Sequence, residues 1–171
     1  MNKTSFLPGL EVRMASAADL SQLRSLAQII FPFTYKDIVP GEQIDYMMDM
    51  FYTEENLLKQ FEEGQVFLIM YDEGKPTGFA SYSPFTNGES FKLNKIYIHQ
   101  RSQGKGHGKW LLNEVTERVK AAGGKTMQLN VNKNNKAVGF YETMGFSKLK
   151  AEMVDIGNNY FMDDYVMQIS L

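Results

Sequence analysis

The chain contains no cysteine. Disulfides, thiolate metal sites and a cysteine nucleophile are therefore excluded. Its two histidines, His99 and His107, are too few for a histidine-built metal centre, so no metal is expected. No stretch of apolar residues is long enough to span a bilayer. The start, MNKTSFLPGLEV, has no apolar run of signal-peptide length, and a cytoplasmic protein without a membrane partner is expected. An excess of either charge is also missing. The 18 Lys and Arg stand against 20 Asp and Glu, a net charge of -2 that gives no general attraction for nucleic acid.

What remains is an ordinary globular balance, 43% hydrophobic and 22% charged over 171 residues. No repeat, low-complexity tract or linker breaks it, so one domain is expected over residues 1–171, with 1–8 as a flexible N-terminus. The eleven methionines read as core filling. Leu10 to Met14 reads as a first strand. Ser16 or Asp19 can cap a helix carrying Leu20, Leu23, Ala27 and Ile30 on one face, and Pro32 is expected to stop it. Ile44, Met47, Met48 and Phe51 mark a second helix, and Thr53 with Glu55 and Asn56 opens a third through Leu57, Leu58 and Phe61.

Val66 to Tyr71 is apolar on both faces, as a buried strand is, and Asp72 to Pro76 supplies a hairpin turn. Phe91 to Ile98 is a further strand whose alternation changes phase. Phe91 and Leu93 fall on odd positions, Ile96 and Ile98 on even ones, which predicts a β-bulge near Asn94. Residues 106–122 form a helix with Leu111, Leu112, Val115 and Val119 inward, ended by Gly123-Gly124. Met127, Leu129 and Val131 alternate as a strand, and Ala137, Phe140, Tyr141 and Met144 share one face of a short helix. Two last strands, 147–156 and 160–169, form a hairpin about Gly157-Asn158-Asn159. The order is mixed α/β around a central sheet. Edge strands at the closing hairpin leave room for a homodimer.

Between strand and helix, "HQRSQGKGHGKW" places glycine at 104, 106 and 108. A helix N-terminus offers unpaired N–H groups and partial positive charge, and glycines let a phosphate come close. Lys105 and Lys109 add charge. A flexible solvent-facing turn is the plainer alternative. A P-loop is excluded because Gln103 and Trp110 stand where glycine and Ser or Thr are required. Gly124-Lys125-Thr126 fails as well, since residue 119 is valine. The spacing also departs from the dinucleotide fingerprint.

Gln103-x-x-Gly106-x-Gly108 resembles the acyl-CoA pyrophosphate loop of the GCN5-related N-acetyltransferases. "LNVNKNNKAVGFYETMGF", residues 129–146, is similar to a second motif of that family at the family's separation. The resemblance implies an α/β (α+β) acyl-CoA N-acyltransferase fold, with a mixed sheet of about seven strands and about four helices. It implies acetyl-CoA as co-substrate and direct attack by an amine in a ternary complex. Backbone groups of Ile96, Tyr97 and Ile98 would pair with the pantetheine, the Ile98 N–H aimed at the thioester oxygen. Gln103, Gly104, Lys105, Gly106, His107, Gly108 and Lys109 would wrap the pyrophosphate. Asn134 would contact the cofactor or cap the helix after it. Tyr141 would protonate the departing thiolate, or be a core tyrosine.

Many members carry a glutamate base where this chain has Asn94 and Lys95. Tyr35, Asp37, Tyr82, His99 and a water chain stay open for that role. "FPFTYKDIVPGEQIDYMMDMFYTEENLL" and "NNYFMDDYVMQISL" are more faintly similar to the bacterial spermidine/spermine N-acetyltransferases. That likeness makes a polyamine the first acceptor to consider. Tyr35, Asp37, Tyr46, Tyr82 and Asp163 are candidate substrate residues, and Asp45, Asp49 and Asp164 could also receive a cation. Amino-acid-like amines, small drugs and protein amines stay open. A catalytically silent acyl-CoA sensor and a nucleotide-binding enzyme are the rival functions.

Overall fold

Apolar residues on both faces of Val66–Asp72 (β2) place that strand between two helical layers in the computed structural model, which describes residues 7–171. Phe67 and Ile69 face one core, Leu68 and Met70 the other. Around β2 the sheet runs in the order β1-β2-β3-β4-β5-β7-β6. Its other strands are β1 Leu10–Met14, β3 Lys75–Pro84, β4 Ser90–Ile98, β5 Thr126–Asn132, β6 Ser147–Gly157 and β7 Tyr160–Ser170. Only the β4–β5 neighbours are parallel. The expected fold class holds, with five α-helices among the described residues where about four were expected.

The first core lies under α1 (Leu20–Tyr35), α2 (Gly41–Tyr52) and α3 (Glu54–Glu62). Leu23, Ile30, Phe31, Ile44, Met47, Tyr52 and Leu57 pack there on Phe67, Ile69 and Phe79. Ser16 and Asp19 cap the short 3-10 turn, Ala17–Asp19, that leads into α1. Asp19 Oδ2 accepts from the Ser16 N–H at 2.7 Å, and Ser16 Oγ accepts from the Ala18 N–H at 3.3 Å. Pro32 does not stop this helix, which runs on to Tyr35. Proline inside a helix costs about 3 kcal/mol. Continuing buries Tyr35, and a large side chain contributes about 1.5–3 kcal/mol on burial, of the same order as the local penalty. The N–H that proline lacks would have bonded the Gln28 carbonyl, which belongs to an exposed residue that water can reach.

The second core lies under α4 (His107–Ala121) and α5 (Ala137–Thr143). Leu111, Leu112, Val115 and Val119 meet Met127, Leu129 and Val131 from β5. Leu7, at the end of the stretch expected to be flexible, packs on this core, and residues 1–6 lie outside the described residues. Among the described residues no helix is long and apolar enough to cross a membrane.

The phase change in β4 is a bulge. Tyr82 pairs with Leu93 and Ser81 with Lys95, so Asn94 has no partner across β3. Phe91, Leu93, Ile96 and Ile98 consequently join the second core, while Tyr97 packs in the first. The parallel pairing of β4 with β5 covers only Ser90–Lys92 against Thr126–Gln128. Beyond it the two strands diverge.

Candidate active site

The divergence opens a cleft of about 930 Å³. β4 from Leu93 to Ile98 lines one wall and β5 from Leu129 to Val131 the other, with the loop after β4 at one end and the end of α1 at the other. The His99 N–H donates to Thr77 on the β3 side at 2.8 Å. Strand alternation therefore turns the N–H and C=O of Ile98 and Ile96 toward the gap, and the main chain of Tyr97 toward β3. Gln103 Nε2 donates to the Ile98 carbonyl at 3.0 Å and ties the loop to the end of β4.

Gly104 and Gly106 have φ of +75° and +82°, the left-handed region that glycine enters without penalty. Gly106 is the N-cap of α4 and supplies no side-chain cap. Among the described residues no well-aligned acceptor meets the N–H groups from Gly104 to Lys109. The first intrahelical bond is Trp110 N–H to the Gly106 carbonyl at 3.0 Å. Converging amides, a helix dipole and Lys109 on the lining form a donor set that suits a diphosphate. Lys105 is exposed and off the cleft lining, and the His107 side chain is buried.

Tyr141 projects from α5 onto the cleft from the second core, where its ring meets Phe146 edge-on at 5.7 Å. The ring is a core residue that also borders the cleft. Burial pushes its phenol well above the ordinary value, with the Tyr35 phenol adding to the rise. Asn134 lines the cleft, whereas the cap of α5 comes from Asn135, whose Oδ1 accepts from the Ala137 N–H at 2.9 Å. Asn94 lines it as well, its amide donating to Ser83 Oγ at 2.9 Å.

At the α1 end, Tyr35 and Asp37 line the cleft. The Tyr35 hydroxyl meets that of Tyr97 at 3.4 Å, and burial raises the pKa of both phenols. Three other candidates lie elsewhere. Tyr46 donates to the Ile156 carbonyl at 2.6 Å. Tyr82 is in the second core beside Phe91. Asp163 pairs with Lys133 at 2.8 Å. Asp45 and Asp49 are exposed on α2, off the cleft lining, and His99 Nδ1 accepts from the Arg101 N–H at 3.1 Å.

Lys95, with Asn94, stands where many members of the family that the sequence resembles carry a glutamate base, and neither is a base candidate in the sequence. The Lys95 side chain is buried, and its Nζ donates to Gln60 Oε1 at 2.6 Å and Gln65 Oε1 at 3.3 Å. Burial pulls its pKa down to about 7, with Lys92 contributing. No pattern in the sequence signals the two glutamine partners, which come from α3 and the turn after it.

A parted parallel strand pair beside a glycine-capped helix suits an extended ligand that ends in a diphosphate. The family model for the acetyltransferase (GNAT) domain matches residues 36–162, and the chain belongs to that family. It is an acetyl-CoA-dependent N-acetyltransferase of GNAT type. An L-methionine sulfoximine/L-methionine sulfone acetyltransferase of Salmonella typhimurium is 26% identical over 127 residues, 68% of this chain and 74% of that protein. The L-amino acid N-acyltransferase MnaT of Escherichia coli is 26% identical over 114 residues, 63% of this chain and 66% of that protein. The crystal structure of PaiA N-acetyltransferase from Thermoplasma acidophilum with coenzyme A superposes with a TM-score of 0.78. It is 25% identical and covers 95% of this chain and 99% of that one.

Proposed function

We propose that this enzyme acetylates the primary amine of a small, amino-acid-like acceptor by direct attack within the cleft. The observation that carries the reading is the gap itself. The main chain of Ile96 and Ile98, the open amides that follow Gln103 and the phenol of Tyr141 all border one space. The names of the relatives support amino-acid amines over the polyamine expected from the faint likeness.

Acetyl-CoA supplies an activated acetyl group when bound. The free amides of Gly104 to Lys109 hold its diphosphate, and Ile96 and Ile98 continue the β4 ladder along the pantetheine. The Ile98 N–H stabilises negative charge developing on the thioester oxygen. An alkylammonium with pKa near ~10.4 must lose a proton first, costing roughly 4–5 kcal/mol at neutral pH. Holding both reactants in line gains about 7–11 kcal/mol, which covers that cost. Burial keeps Tyr141 protonated, so it meets the departing sulfur as a donor.

The test is thiol release from acetyl-CoA across a panel including L-methionine sulfone, other L-amino acids and spermidine. Turnover of an α-amino acid with a higher kcat/KM than spermidine is expected. Preference for spermidine reverses the acceptor assignment, and coenzyme A binding without turnover of any amine makes the chain a sensor.

A further inference from the structure

We propose that the buried carboxylate of Asp164 seats the acceptor's ammonium group and takes its proton. The proposal rests on the acetyl-transfer reading above and adds the acceptor subsite to it.

β7 alternates, so neighbouring Asp163 and Asp164 point to opposite faces. Asp163 is satisfied by Lys133. Asp164 is only 6% exposed and forms no ion pair with a described residue. Its Oδ2 accepts one long bond, 3.4 Å from Asn130 Nδ2. Its Oδ1 is enclosed and has no hydrogen-bond partner among the described residues. A buried carboxylate is normally paired or held by several donors, because stripping water from it is costly. Here one marginal neutral bond does that work.

The position is as telling as the shortfall. Asn130 lines the cleft. Asp164 shares the face of β7 that carries Met162, which packs in the first core under α1 and α2. Asp164 therefore stands just behind the cleft wall at Asn130. An ammonium displacing the Asn130 amide brings three donors, enough for both oxygens, and exchanges a long neutral contact for charge-assisted ones. This selects a protonated primary amine and rejects an anionic end of the same molecule.

The groups that act on this carboxyl are Asn130 from β5, Glu152 paired with it on β6, Lys92 from β4, Tyr35 from α1 and, from the opposite face of its own strand, Asp163. Burial raises its pKa most, Glu152 and Asp163 raise it further, and Asn130 and Lys92 oppose them. A raised carboxyl accepts a proton more readily than a surface one. The ammonium gives one proton to Asp164, and the freed nitrogen bonds to the thioester carbon. The carbon–sulfur bond breaks with its electron pair on sulfur. A second nitrogen proton replaces the one Tyr141 gives to sulfur, and Asp164 returns its proton to solvent.

The test uses the whole protein with carboxyl-¹³C aspartate and coenzyme A bound. The Asp164 resonance is the one missing in Asp164→Asn. It should titrate above the usual aspartate range and move down in pKa on adding L-methionine sulfone or spermidine. In Asp164→Asn, affinity for the responding amine should fall about tenfold or more while coenzyme A affinity holds. The deficit in kcat/KM should narrow toward about pH 10, where the amine sheds its proton unaided. A purely structural role would give a deficit independent of pH. A resonance blind to both amines, or an Asn variant that binds and acetylates them as the wild type does, overturns the proposal and leaves acetyl transfer standing. A responding carboxyl without turnover of any amine supports the seat and removes the reaction. If the Asn variant does not fold, Asp164→Glu supplies the assignment and the same titrations decide.

Discussion

The hydroxyls of Tyr35 and Tyr97 meet at 3.4 Å, one from the last turn of α1 and the other from β4 beyond its bulge. The Phe31 ring lies beside both, at 4.5 Å and 5.8 Å. Burial keeps both phenols protonated, so one donates to the other and the second proton points elsewhere. Tyr35→Phe should raise the acceptor KM about three- to tenfold, the worth of one neutral hydrogen bond. The KM for acetyl-CoA should not move. Steady-state kinetics with each substrate varied in turn checks this.

Tyr141→Phe keeps the ring in place and removes only the hydroxyl. Its kcat should fall about 10²-fold or more, as for loss of a general acid. Thermal stability should stay near that of the wild type, because the ring contacts with Phe140 and Phe146 are unchanged. Paired rate and melting measurements separate the two effects.

At Gly106, with φ of +82°, a side chain is strained whatever room it has. Gly106→Ala should cost about 1–2 kcal/mol in stability. It should also weaken coenzyme A binding, read by calorimetry, since the strain falls on the amides that meet the diphosphate. Gly108→Ala should be milder, because its added carbon would find only ordinary contacts at 3.7 Å and 3.8 Å.

Lys95 makes stability depend on pH. The unfolded chain holds this proton up to about 10.5, whereas the folded protein releases it at about 7. Between those values the unfolded state binds more protons, so stability climbs as pH rises through the window and this contribution is level below it. Lys95→Met abolishes the climb. The advantage of the variant over wild type should be largest below about pH 7 and shrink toward pH 10, measured as denaturation midpoints of the two proteins.

Main-chain features of the site were legible in the sequence. A two-residue periodicity that slips at Asn94 locates the bulge, and glycine spacing locates the loop, because both are written in consecutive residues. The side-chain features were not. Asp163 and Asp164 look alike as letters, and only the facing of β7 leaves one on Lys133 and the other behind Asn130. Tyr82 was misplaced for a similar reason, since the bulge decides which face of β3 meets which core. Pro32 misled because local propensity cannot see the burial of Tyr35 beyond it.

The three residue pairs that join β4 to β5 make the sheet two panels sharing a short seam. Beyond the seam the main chain of Ile96 and the Ile98 N–H have no strand partner on the β5 side. Deuterium uptake at Ile96 and Ile98 should accordingly slow when coenzyme A is added, while β2 is already protected. A ligand of this kind serves as tertiary glue. At a hundredfold excess over its Kd it adds about 2.7 kcal/mol to the folded state. Metabolic supply of coenzyme A would then govern how long the enzyme lasts as well as how fast it runs.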